Sequence, residues 1–142
     1  MYAACQDMRE AFGEEELLAL TDREQTGRVD EDVAGAALVR ASDEADSYLA
    51  GRYAVPVAPV PPVLVAMVCD IARYRLTGGA AQETDPIAER YRLAIAWLSR
   101  VAEGKADLPG VGLPASGGDN IRFATGRRVF TRQSAAGRGS DA

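Results

Sequence analysis

Four prolines within seven residues, Pro56, Pro59, Pro61 and Pro62, restrict this chain more than any other feature of its sequence. A proline ring fixes φ, removes a backbone N–H and pushes the residue before it toward extended backbone, so no helix can run through this stretch. The chain must be built from helices that precede and follow an ordered elbow. The same prolines interrupt the longest apolar run, residues 55–69, which Asp70 then closes. That run falls short of the roughly 20 clean apolar residues of a membrane helix, so no span is expected.

After the elbow, Pro62 suits the first turn of a helix, and Gly78-Gly79 ends it, which predicts a helix over 62–76. Leu64, Met67, Val68, Ile71 and Tyr74 mark one side, while Val63, Val65, Ala66 and Ala72 cover most of the rest. This helix should be central and contacted all round. Asp70 and Arg73 are its exceptions, expected to pair with each other or with Arg52 and so to orient helices.

Before the elbow, Asp30 is a good N-cap, Glu31 and Asp32 fill the first turn, and Ala34, Leu38, Ala41, Ala45 and Tyr48-Leu49 recur every three to four residues until Gly51. The mostly alanine face lets a neighbouring helix come close, with Arg40, Asp43, Glu44 and Asp46 expected to stay solvated. Asp85-Pro86 opens a third long helix ending near Gly104, with Ile87, Tyr91, Ala94, Leu98 and Val101 on its stripe and Trp97 widening it. Two short helices, over 6–12 and 14–20, flank Gly13; Glu14, Glu15 and Glu16 complement the positive end of the second. Residues 21–29 and 78–84 read as loops.

The expected fold is therefore all-α, a small helical bundle of three long helices plus two short N-terminal helices, occupying residues 1–106. A Gly/Pro linker follows over 107–119. Residues 120–142 read as an extended C-terminal arm in which Ile121, Phe123, Val129 and Phe130 alternate with polar residues, suited to a β-hairpin or to a strand added to a partner. An isolated hairpin is marginal in water, so an apolar arm carrying Arg122, Arg127, Arg128 and Arg132 is expected to order against another chain.

Charge follows the same division. Residues 1–116 hold eleven Arg or Lys against nineteen Asp or Glu, whereas residues 117–142 hold five Arg against two Asp. An acidic body thus bears a basic tail. The chain has no histidine, which removes zinc-protease helices, histidine triads and the usual general base near neutral pH. No phosphate loop or nucleophile motif is present, so an enzyme is not expected. Cys5 and Cys69 lie in different segments and read as inert packing residues, and neither a cofactor nor a metal site is expected. The N-terminus has no basic and apolar leader, which points to assembly in the cytoplasm.

Several phrases, in order, carry a resemblance. Tyr48-Leu49, Gly51-Arg52-Tyr53 and Pro56 form one; Asp70 through Leu76 another; Arg90-Tyr91, Trp97-Leu98, Ala102, Gly104 and Leu108 a third; and Arg128-Val129-Phe130-Thr131-Arg132 a fourth. Together they resemble the Mu-like prophage neck protein family, and the likeness covers nearly the whole chain. The resemblance implies a fold related to the head-completion connectors of long-tailed phages and a place in the virion at the head-to-tail neck. It implies a portal-matched, twelvefold ring of this chain under the portal protein, with the arm gripping the portal through Ile121, Arg122, Phe123, Arg127, Arg128, Val129, Phe130 and Arg132. A tail-side neck or tail terminator protein would lie below, and DNA would pass non-specifically through the lumen, eased by the acidic body. The alanine-rich helix and the glycine-rich linker depart from the family's usual pattern. The rival reading is a nucleic-acid-binding regulator that sets the basic C-terminal tail on phosphates.

Overall fold

A computed structural model describes residues 1–78 and 85–114. Five helices follow one another, α1 (Cys5–Phe12), α2 (Glu14–Thr21), α3 (Glu31–Leu49), α4 (Pro62–Leu76) and α5 (Pro86–Ala102), and no strand occurs among the described residues. The fold is the expected helical one, three long helices with two short ones in front. The C-terminal arm and its hairpin or strand lie outside the described residues.

Local chemistry sets the helix starts. The Asp30 carboxylate accepts from the N–H groups of Asp32 at 3.0 Å and Val33 at 3.1 Å, satisfying two donors that α3 cannot pair internally. Asp85 does the same for Ile87 at 2.8 Å, with Pro86 in the first turn of α5. Extended Pro61 leads directly into α4. Gly13, at φ +93°, makes the corner between α1 and α2, a conformation any side chain would strain.

α4 is the centre, packed against every other helix. Leu64, Val68, Ile71 and Ala72 are fully buried on it, in one core with Ala34, Leu38, Ala41, Ala45 and Leu49 of α3, against which it packs. The α5 side supplies Ala94, Leu98 and Val101, while Met8 and Leu17 close the core from α1 and α2. Trp97 and Tyr91 are partly buried against this core.

The elbow is held from both directions. Tyr2 donates its backbone N–H to Ser42 Oγ at 2.9 Å and its hydroxyl to the Asp46 carboxylate, and accepts the Val57 N–H at 2.8 Å. Burial, reinforced by Asp46, pushes the Tyr2 hydroxyl up to about 12. Asp46 is thus a tie between the N-terminus and α3 and not the solvated acid expected. Val57 and Tyr53 point inward from the elbow, whose Val55-Pro56 and Ala58-Pro59 bonds are cis.

Arg52 spans the other side. Its Nη1 donates to the carbonyls of Val101 at 2.7 Å and Ala106 at 3.0 Å, and its Nη2 meets Asp107 at 2.9 Å. Leu108, in the stretch read as linker, is 2% exposed, with Val111 packed partly against the same core.

The expected pairing of Asp70 with Arg73 or Arg52 does not occur. Asp70 faces α5 and pairs with Arg90, whereas Arg73 reaches α2, meeting Glu16 at 2.6 Å and lying 4.4 Å over the Phe12 ring. Residues three apart on a helix share one face but still point roughly 60° apart round its axis, enough here for α5 on one side and α2 on the other to take them separately. Both contacts still orient helices, as the residues' positions on α4 led one to expect.

Candidate assembly surfaces

All eight arm residues singled out from sequence, Ile121, Arg122, Phe123, Arg127, Arg128, Val129, Phe130 and Arg132, lie outside the described residues. The body nevertheless has surfaces of its own. Among the described residues, only two large apolar side chains on helices are exposed, Val39 on α3 at 47% and Leu93 on α5 at 58%.

Leu93 rims a groove of about 310 Å³ between α4 and α5, lined also by Met67, Ala94, Asp70 and Arg90. Asp70 forms part of its floor, with a side chain only 5% exposed. Its Oδ1 lies 3.0 Å from Arg90 Nε but receives no hydrogen bond, and its Oδ2 is 3.4 Å from Arg90 Nη2. Both oxygens thus face the same guanidinium, and Oδ1 is closed off from solvent. Burial raises the Asp70 carboxyl above its usual range, opposed by Arg90 and more weakly by Arg73. Arg90 itself is half exposed, its charge largely in water.

Val39 sits on the opposite kind of surface. Beside it, Arg40 rims an open concavity of about 500 Å³ whose walls include Val33, Ala36 and Leu76, with Arg23 and Arg75 also on it. Arg75 is held at 2.5 Å by Glu44, which also accepts from the Tyr91 hydroxyl at 3.0 Å; Tyr91 stacks on Tyr74 with ring centres 4.1 Å apart. Glu44 therefore joins three helices and is not the solvated acid expected. Arg23 and Arg40 have no acidic partner among the described residues, whereas Arg9, Arg52, Arg73, Arg75 and Arg90 all do.

Both surfaces had a sequence signal. Leu93 follows Arg90 and Arg92 on the polar side of α5, and Val39 precedes Arg40 on the side of α3 away from its buried alanines. An apolar residue set among charges on an otherwise polar helix face has no core to enter. Asp70's pairing with Arg90 carried no such signal, because it depends on where α5 crosses α4.

Cys5 and Cys69 are both free thiols. Burial pushes Cys69 up to about 12 and Cys5 upward as well, so neither is a ready nucleophile near neutral pH. Among the described residues no group of three or more His, Cys, Asp or Glu side chains is placed to hold a metal ion, and no helix is long and apolar enough to cross a membrane.

Comparison with known proteins adds what geometry alone does not. Residues 2–122 match a protein family described as Bacteriophage Mu, Gp36. The chain is 33% identical over 137 residues to gene product J of Escherichia phage Mu, covering 93% of this chain and 95% of that protein. It is 44% identical over 72 residues to the Mu-like prophage FluMu protein gp36 of Haemophilus influenzae, covering 51% of this chain and 50% of that one.

Proposed function

The chain belongs to the bacteriophage Mu Gp36 family, and from that membership we propose that it is a structural virion protein, the adaptor that joins head to tail. In this reading its copies form a ring under the portal protein, matching the portal's symmetry. The C-terminal arm grips the portal, a tail-side neck protein or tail terminator binds below, and DNA passes through the lumen.

The observation that carries the reading is the fixed exit of the body. Leu108 is buried, its N–H is held by Tyr53, and Asp107 is held by Arg52, so the chain leaves the bundle from a clamped point. From there the sequence runs through glycine and proline to an apolar, arginine-bearing segment. A rigid body with such an extension suits a joining piece, because repetition around a ring multiplies a modest affinity per arm through effective concentration. An acidic body suits a channel that must not hold DNA phosphates, and it weighs against the rival nucleic-acid-binding regulator.

Removing residues 117–142 is the direct test. The truncated protein should keep its helical circular dichroism and lose co-sedimentation with the cognate portal; retained binding would overturn the arm's role. Negative-stain images of the full chain mixed with portal should show a ring seated below it.

A further inference from the structure

Three guanidiniums meet at the open concavity of about 500 Å³ between the first half of α3 and the end of α4: Arg23 from the segment ahead of α3, Arg40 from α3 and Arg75 from α4. The body around them is acidic, with eleven Arg or Lys against nineteen Asp or Glu over residues 1–116, so this grouping runs against the general charge of the surface. Arg75 is answered by Glu44, but Arg23 and Arg40 are exposed and have no acidic partner among the described residues. Asp32 is the one acid among the described lining residues, and the charge left over is positive.

The frame of this concavity is fixed. The Asp22 carboxylate accepts the N–H groups of Thr26 and Gly27, both at 2.7 Å, and the Thr21 hydroxyl accepts the Asp30 N–H at 3.1 Å, so the backbone that carries Arg23 is tied at both ends. Glu44 holds Arg75 in place. Val33, Ala36 and Arg40 recur at three and four residues and share one face of α3, and Val33 and Ala36 join Leu76 as an apolar wall beside the cations. A site whose parts are already in position has less ordering to do when it binds.

We propose that this concavity binds a short acidic segment of a partner protein in which carboxylates alternate with apolar side chains. The carboxylates pair with Arg23 and Arg40, and an apolar side chain lies against Val33, Ala36 and Leu76. Unanswered guanidiniums select an anion. The apolar wall selects a peptide over a phosphate, which has no apolar group to place there, and a long nucleic acid would bring most of its phosphates against the acidic surface around the concavity. The chain's own C-terminal extension, with five Arg against two Asp over residues 117–142, has the wrong sign to be the occupant. The proposal does not depend on the adaptor reading and is tested on the full chain by itself.

The probe is a capped peptide, acetyl-Glu-Leu-Glu-Leu-Glu-amide, titrated into the isotope-labelled full chain and followed by NMR at the arginine side chains. The Nε–H signals of Arg23 and Arg40 should move together, with a Kd below about 1 mM. Arg23→Gln and Arg40→Gln should each weaken binding about tenfold with circular dichroism unchanged, because each removes one charged hydrogen-bond donor. Arg100→Gln, which removes an exposed cation of α5 outside the concavity, should leave the affinity as it was. The same peptide with glutamines for its glutamates should not bind, and one with serines for its leucines should bind at least about threefold more weakly. No movement at either arginine, an equal loss in Arg100→Gln, or equal affinity for the serine peptide overturns the proposal. So does a short DNA duplex or inorganic phosphate that moves the same signals at a lower concentration than the peptide, which would make the concavity a phosphate site.

Discussion

The Tyr53 hydroxyl accepts a hydrogen bond of 3.0 Å from the backbone N–H of Leu108, so the elbow behind α3 and the segment behind α5 close on each other across the bundle. Both residues are nearly fully buried. Tyr53→Phe keeps the ring and removes only the acceptor, leaving a buried N–H without a partner, which costs about 1–3 kcal/mol. Urea unfolding should show that loss, and amide hydrogen exchange at Leu108 should speed up. An unchanged exchange rate there would mean that the hydroxyl does not hold the exit.

Arg52 supports the same junction with a different chemistry. Its planar guanidinium serves the carbonyls of Val101 and Ala106 from one nitrogen and Asp107 from another, with the cation 5.4 Å from the Tyr53 ring centre. Charged hydrogen bonds of this sort contribute about 1.5–3 kcal/mol, so Arg52→Ala should lower stability by roughly 2 kcal/mol. A lysine ammonium cannot reproduce the fork, and Arg52→Lys should fall between the two. Comparing urea midpoints of the three proteins checks the order.

Asp70 predicts a pH dependence of unusual sign for a carboxylate. Burial raises its carboxyl above the usual range in the folded state. The folded protein therefore holds the proton more tightly than the unfolded chain, and the contribution of this group to stability is full below the unfolded pKa and lost as pH rises through the folded one. At pH 7 the ionised group is a net burden on the isolated body. Asp70→Asn should then unfold at a higher urea concentration at pH 7, and the gap should narrow as pH falls toward 4. A variant less stable at pH 7 would show that the Arg90 pair outweighs burial.

What the sequence revealed of the fold was what short-range chemistry decides. Prolines 56 to 62 placed the elbow, Asp30 and Asp85 placed two helix starts, and the alanine spacing of α3 identified its buried face. Side chains whose partners lie far along the chain were misread. Asp46 and Glu44 looked like solvated acids because Tyr2 and Arg75 come to them only after α3, the N-terminus and α4 have packed. Asp70 and Arg73 looked like partners because they are three residues apart, yet the helices beside them supplied Arg90 and Glu16 instead. The arm's contribution rests on the sequence, and the surfaces around Val39 and Leu93 emerged once the core residues had been accounted for.

The alanine seam between α3 and α4 has a thermodynamic side as well. Ala34, Ala41 and Ala45 are wholly buried there, and a methyl group has no rotamers to surrender when it is enclosed. These three positions are enclosed with almost no loss of side-chain freedom, while Leu38, Leu49, Leu64, Val68 and Ile71 supply the interlocking bulk around them. Such a joint has few alternative packings to slip into, which keeps every copy of the chain the same shape.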